Sequence, residues 1–206
     1  MNIHFITFEG GEGSGKTTLI ELLVKDLEKK GIKTFKTREP GGSKISEEIR
    51  NIILNKENTE MDYKTEALLY ASSRRQHLVE IVNPAIEQGY LVICDRYLDS
   101  SLAYQGYARG LGIDEVYDIN LYATSGVLPD LTILIDQDPK VGLARIKKND
   151  RDTDRLDVET ITFHENVRKG YLEVANRFPE RIKIVNGERT IDEVYKDVLK
   201  IVIEKL

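Results

Sequence analysis

The amino-acid sequence predicts an α/β fold in which a parallel sheet is covered by helices on both faces. Three observations predict it. Short, unbroken apolar runs occur at 3–8, 91–94, 131–135 and 182–185, with a weaker one at 32–37; a strand buried on both faces shows no polar alternation. Segments with helical spacing separate these runs, which is the βαβ pattern. The first run enters Gly10-Gly11-Glu12-Gly13-Ser14-Gly15-Lys16-Thr17, which fits G-x-x-x-x-G-K-[ST] between a strand and a helix. The 206 residues read as one domain, 1–206, long enough to bury a real core.

Leu19, Leu23 and Leu27 mark one face of a first helix over about 15–30. Lys29 and Lys30 suit its negative end, and Gly31 its C′ position. Arg38-Glu39-Pro40-Gly41-Gly42 interrupts both periods and must be a loop. Ile45, Ile49, Ile52 and Ile53 give a second helix behind Ser43. A long helical segment covers 63–88, with a bend at Pro84 and an end at Gly89. Residues 98–126 are mostly helical, broken by Gly106, Gly110 and Gly112. Asp138 as N-cap and Pro139 at the first helical position open the helix that carries Val141, Ala144 and Ile146. Phe163, Val167, Val174 and Phe178 mark a helix that Pro179 stops. Thr190-Ile191-Asp192-Glu193 is a capping box before a last helix with Ile191, Val194, Val198 and Ile201 on one face.

Right-handed crossovers place loop 10–17, loop 38–42, residues 95–97 and Asp136 on one edge of the sheet. Open α/β sheets bind ligands along that edge. Glycines let a loop approach a ligand closely, and its N–H groups then cradle phosphate oxygens at the positive end of the following helix. Lys16 reaches the β- and γ-phosphates in this motif, and the Thr17 hydroxyl ligates Mg²⁺. The chain is therefore expected to bind a nucleoside triphosphate.

A net charge of −5 argues against general affinity for nucleic-acid backbones or anionic membranes. Cys94 is alone, so a disulfide framework or cysteine metal cluster is excluded. The sequence has no basic leader and no run of about 18 apolar residues, so a cytoplasmic protein without a membrane partner is expected.

Asp95 ends an apolar strand, where a Mg²⁺-holding acid sits in such proteins; the bland alternative is a helix cap. Arg96 and Arg38 lie on the same rim, and Arg50, Arg74 and Arg75 are spaced so that one faces inward. Several guanidinium forks near one rim suggest a second phosphate site. The charged stretch 147–157 reads either as a solvated helix end or as a basic lid that excludes water. Tyr70 to Arg74 and Ser100 to Gln105 place rings, a guanidinium and an amide near the rim, although aromatic residues at helical spacing are usually core. His4, His77 and His164 are scattered and take no catalytic role.

Phe8-Glu9-Gly10-Gly11-Glu12-Gly13-Ser14-Gly15-Lys16-Thr17-Thr18, Thr37-Arg38-Glu39-Pro40-Gly41-Gly42, and Asp95-Arg96-Tyr97 followed by Ser100-Ser101-Leu102-Ala103-Tyr104-Gln105-Gly106 resemble the thymidylate kinase family in order and spacing over essentially the whole chain. The resemblance implies the P-loop nucleoside monophosphate kinase fold, a five-stranded parallel sheet with a short lid. It also implies transfer of the ATP γ-phosphoryl to dTMP with Mg²⁺, and a homodimer. Carried over by motif, Gly10, Gly11, Glu12, Gly13, Ser14, Gly15, Lys16, Thr17 and Thr18 bind ATP. Arg145 lies against adenine, with Asn186, Gly187 and Glu188 on its other side. Glu12 holds the 3′-hydroxyl of dTMP, Arg96 clamps the acceptor phosphate, and Asp95 with Thr17 serves the metal. Tyr70 stacks on thymine, Arg74 bonds the base, and Ser101 and Gln105 complete the pocket. Tyr104 crowds the sugar 2′ position, while Arg38 and Arg50 approach the nucleotide. Some members carry Arg after the P-loop acid. Gly13 stands there, so the catalytic cation is expected in the lid, from Arg151 or Arg155. Lys16, Arg96, Asp95 and those lid arginines form the expected catalytic set. The rival is a nucleotide switch or binding protein, which lacks here its guanine-reading Asn/Thr-Lys-x-Asp.

Overall fold

The computed structural model describes residues 3–148 and 154–206. Strands β1 (Phe5–Gly10), β2 (Thr34–Arg38), β3 (Leu91–Asp95), β4 (Leu131–Asp136) and β5 (Ile182–Asn186) form one parallel sheet in the order β2-β3-β1-β4-β5. The helices are α1 (Lys16–Lys29), α2 (Lys44–Leu54), α3 (Tyr63–His77), α4 (Asn83–Glu87), α5 (Leu98–Ser101), α6 (Ile113–Thr124), α7 (Pro139–Lys148), α8 (Ile161–Arg177) and α9 (Ile191–Lys205). The expected class is thus observed, a five-stranded parallel sheet with helices on both faces.

β1 is central, and all six of its residues are buried. Alternation along it sends Ile6 and Phe8 to the α1 and α9 face, where they meet Leu19, Leu23, Ile133 and Val198. Phe5, Thr7 and Glu9 face the other way, towards α5 and α8. Phe5 packs there edge-on against Tyr97, with ring centroids 4.9 Å apart.

Three local departures have physical causes. β1 runs two residues past the expected end, because Glu9 and Gly10 pair with Leu134 and Ile135 of β4. The segment 63–88 runs on past Pro84 as expected, but not as one α-helix. A π-helical stretch, Leu78–Val82, precedes α4, and the Asn83 N–H reaches back to the Leu78 carbonyl. A widened turn before the proline accommodates its ring and its missing donor. Likewise, α5 continues as a π-helical stretch, Leu102–Ala108, before the chain breaks at Gly110 and Gly112, both at positive φ. Gly106 lies inside that stretch rather than at the break. The Thr190–Glu193 capping box and the Asp62 cap of α3 are formed.

The α5–α8 face buries polar groups as well. Arg181 donates to both carboxylate oxygens of Asp99 at 2.6 Å each and to Thr132 Oγ1 at 3.1 Å. Asp99 is buried, and Thr132 also bonds it at 3.2 Å. Asp99→Ala strands the Arg181 charge in the interior and is expected to cost about 3–5 kcal/mol, measured by urea denaturation. A loss within the range of a surface substitution would show that the pair contributes little.

Candidate active site

The C-terminal edge of the sheet carries a cavity of about 630 Å³. The loop after β1, loop 38–42, the loop after β3, the π-helical stretch Leu102–Ala108, α3 and α7 all supply its walls. Gly13 and Gly15 take positive φ, +68° and +89°. α7 packs directly on this loop: a Cβ at Gly13 would run into the Gly142 backbone, and one at Gly142 into the Glu12 carbonyl oxygen. That close approach, with the positive φ, leaves no room for a side chain at position 13.

Lys16 is folded back onto the loop. Its Nζ donates to Gly10 O at 3.1 Å, Gly11 O at 3.0 Å and Ser14 Oγ at 3.3 Å. Burial first, and the neighbouring Arg96 charge second, lower its pKa to about 8. The Thr17 hydroxyl donates to Asp95 Oδ2 at 3.0 Å. This pair offers oxygen donors only, which fits a hard cation such as Mg²⁺. Thr18 and Ser14 line the same cavity.

Arg96 sits at a positive φ of +70°, an uncommon conformation for a residue other than glycine. Its N–H bonds Phe8 O at 2.9 Å. Its guanidinium donates to Glu12 Oε1 at 2.6 Å, Tyr171 Oη at 2.9 Å, Gly10 O at 3.1 Å and Ser100 Oγ at 3.3 Å. It also lies over the Tyr104 ring, 5.3 Å from the centroid. Tyr104 in turn donates to Glu12 Oε1 at 3.0 Å. Glu12, Arg96 and Tyr104 are therefore one cluster.

Tyr70, Arg74, Ser101, Tyr104 and Gln105 line one end of the cavity together. Burial raises the Tyr70 phenol pKa, so it stays neutral. Arg74 is almost fully engaged by protein: Glu39 Oε2 at 2.7 Å, Ser101 Oγ at 3.1 Å, Tyr97 O at 3.0 Å, and Asn120 Oδ1. Among the described residues this leaves one of its five N–H groups for a ligand. Gln105 Nε2 donates to the buried Glu66 at 2.8 Å, so its carbonyl oxygen is the group left to accept from a ligand.

Arg38 and Arg50 both donate to Pro40 O, at 2.8 and 2.9 Å, and both line the cavity. Burial first and the adjacent Arg38 second lower the Arg50 pKa, against Glu47 and Asp154, which raise it. Arg75 instead faces α6, bonding Ala123 O and Ser125 Oγ. Arg145 reaches the cavity and bonds Gln137 Oε1 at 2.9 Å.

Several expected residues fall elsewhere. Asn186, Gly187 and Glu188 do not line the cavity: Glu188 Oε1 accepts from the Asp138 N–H at 3.2 Å, and Gly187 N–H bonds Asp136 O at 2.8 Å. Ile191, read only as core, takes a place in the wall beside Gly15. Arg155 is buried, donating to Ile53 O at 2.8 Å and to Glu66 Oε2, and is not brought to the cavity. Arg151 lies outside the described residues. Glu9 and Tyr171, overlooked in the sequence, stand behind Arg96. Their signal was a carboxylate on the inward face of a central apolar strand.

The sequence profile of thymidylate kinases matches residues 8–198. The chain is similar to the thymidylate kinase of Clostridium novyi (strain NT), 56% identical over 94% of this chain and 95% of that one. It is similar to that of Bacillus licheniformis, 56% identical over 100% and 98%. The crystal structure of thymidylate kinase from Ehrlichia chaffeensis superposes with a TM-score of 0.77 at 33% identity, covering 97% of each chain. The chain belongs to the thymidylate kinase family. It is accordingly a P-loop phosphotransferase, and the cavity at the C-terminal edge is its candidate active site.

A Lys16 pKa of about 8 has a consequence for ATP affinity. Bound phosphates raise this pKa, so ATP binding takes up a proton once free Lys16 is neutral. The ATP dissociation constant, measured by titration calorimetry, is expected to be flat below pH 8 and to rise up to about tenfold per pH unit above it. A flat profile to pH 9.5 would contradict this.

Proposed function

We propose the following division of labour for the reaction of a thymidylate kinase, phosphorylation of dTMP to dTDP with ATP as donor. The loop 10–17 and Thr18 hold the triphosphate, with Lys16 turning from Gly10 O and Gly11 O onto its β- and γ-oxygens. Thr17 and Asp95 would hold Mg²⁺, which would supply neutralisation of phosphate charge when bound. Arg96 takes the acceptor phosphate. Glu12, held by Arg96 and Tyr104, meets the deoxyribose hydroxyl. Tyr70, Arg74, Ser101 and Gln105 enclose the base, and Arg38 and Arg50 add positive charge at the acceptor end. Arg145 contacts adenine, with Ile191 on the other side in place of Asn186, Gly187 and Glu188.

The observation that carries this reading is the convergence of Lys16 and Arg96 on one cavity that Tyr70, Arg74 and Gln105 also line. Two cationic groups side by side suit two phosphates brought into line. The acceptor phosphate is already anionic at pH 7, so no general base is needed. The work is positioning and charge neutralisation in a site that excludes water.

A single domain with its lid at about 147–157 completes the proposal. Of the two lid arginines, the catalytic role falls to Arg151, because Arg155 is spent on Ile53 O and Glu66. Homodimer formation rests on the family resemblance, supported by apolar Leu68 and Tyr122 left exposed on α3 and α6. The net charge of −5 supports a protein without general nucleic-acid affinity, and no helix among the described residues is long and apolar enough to cross a membrane. A cytoplasmic location is the reading that agrees with both.

Coupled ADP release with ATP·Mg²⁺ tests the assignment. Turnover is expected to be fast with dTMP and at least about tenfold slower in kcat/KM with dCMP or ribosyl-TMP, since buried polar groups are left unpaired or crowded. Preference for another monophosphate would keep the phosphate sites and discard the base pocket. ATP hydrolysis without any acceptor dependence would favour the nucleotide-switch reading. In the lid, R151A is expected to lower kcat while R155A chiefly lowers stability; wild-type kcat in both would remove the lid cation from the mechanism.

A further inference from the structure

Glu9 lies at the end of the central strand, fully buried, with no part in the phosphate and base contacts described above. Its Oε1 accepts the Tyr97 N–H at 2.7 Å. Its Oε2 is one corner of a triangle of oxygens, 2.6 Å from Ser100 Oγ and 2.9 Å from Tyr171 Oη, which are 2.8 Å from each other. The same two hydroxyls accept from Arg96 Nη1 at 3.3 and 2.9 Å. We propose that Glu9 is a positioning residue: through the Ser100 and Tyr171 hydroxyls it fixes the Arg96 guanidinium in the orientation that receives the acceptor phosphate. The inference rests on the reading of Arg96 as the phosphate clamp.

The geometry allows a proton count. Three close oxygen pairs need three protons, and the two hydroxyls supply two. A neutral Glu9 supplies the third. With Glu9 ionised, Ser100 Oγ–H and Tyr171 Oη–H both donate to Oε2. A neutral Glu9 turns the Ser100 bond round, so that Glu9 Oε2–H donates to Ser100 Oγ, Ser100 Oγ–H to Tyr171 Oη and Tyr171 Oη–H to Glu9. Each hydroxyl keeps one lone pair for Arg96. Ionised Glu9 leaves one pair without a proton, and its charge competes with the substrate phosphate for the same guanidinium. The charges around Glu9 bring its neutral form within reach near neutral pH. Burial comes first and Asp99, on α5, second in raising its pKa to about 7, against Ser100, Arg96 and the Tyr97 N–H, which lower it. Tyr171 on α8 stays neutral through burial and Glu9 itself, while Lys16, Cys94 and Arg181 face Glu9 at longer range.

The test is steady-state kinetics of the full chain with Y171F, E9A and E9Q, with R96K in parallel and thermal melting to confirm folding. Y171F keeps the ring, which packs edge-on to Tyr104 at 6.0 Å, and removes only the hydroxyl. Y171F and E9A are expected to raise the dTMP KM about tenfold, the size of one disrupted charge-assisted contact, with the ATP KM changed less than about twofold. E9Q, whose amide nitrogen can donate to Ser100 but cannot accept the Tyr171 proton, is expected to recover part of the E9A loss. It is also expected to lack the decline in kcat/KM for dTMP that the wild-type protein shows as pH rises through about 7. An unchanged dTMP KM in folded Y171F, or equal rises in both KM values, would overturn the positioning role. A wild-type dTMP KM in R96K would instead remove the phosphate clamp on which the role depends.

Discussion

The pairing of β1 with β3 sets the positions of the phosphate loop, Asp95 and Arg96 relative to one another. Phe8 lies opposite Asp95, so β3 ends two residues short of Gly10, where β1 passes into the phosphate loop. The Arg96 N–H caps Phe8 O at 2.9 Å, and Asp95 comes within 3.0 Å of Thr17 at the start of α1. A one-residue slip would turn Asp95 to the opposite face and take Arg96 away from Glu12. β4 adds the same constraint from the other side, because Gly10 pairs with Ile135 and α7 follows to press Gly142 on the loop. The loop is thus clamped between two neighbouring strands and a helix before any ligand arrives, which is the preorganisation that electrostatic catalysis needs.

Within this frame the protein keeps its cations in place with its own anions. Arg96 rests on Glu12, Arg38 on Glu47, and Lys16 on the carbonyls of its own loop. Such partners offset part of the repulsion among clustered positive charges. Lys16 and Arg50, which lack an ion pair among the described residues, have lowered pKa values. A polyphosphate entering the cavity relieves that tension, so part of the affinity for anions is stored in the free protein.

Much of this was legible in the sequence. The continuous apolar runs gave a doubly covered parallel sheet, because a strand with helices on both faces has no wet side. The P-loop and the Asp95-Arg96 pair were legible because backbone-lined phosphate sites need glycine and a fixed Lys at set spacing. What escaped depends on contacts between distant segments. Glu9 looked like a neighbour of the motif, and only the α5 and α8 packing gives it Ser100 and Tyr171. Nothing local separates Arg155, which bonds Ile53 O, from a cation free to move with the lid. The π-helical stretches escaped because their cause is a misfit within a helix, at Pro84 in one case, that hydrophobic period does not record.

The arginines show how residue type and role separate only in the fold. Arg74, Arg155 and Arg181 each place their forks on carbonyl or hydroxyl oxygens as well as a buried carboxylate. A guanidinium so satisfied has little left to offer a ligand, and its worth lies in holding segments together: α3 to loop 38–42 and the loop after β3, the segment around Arg155 to α2 and α3, and β5 to α5. Arg96 also has several protein partners, but it stays at the cavity wall, and two of those partners are hydroxyls rather than carboxylates. A hydroxyl orients a cation without cancelling its charge. The carboxylate partner of Arg96, Glu12, keeps some exposure beside it at the cavity wall, whereas Glu39, Glu66 and Asp99 are buried, and it is this placement that leaves Arg96 both held and available to an incoming phosphate.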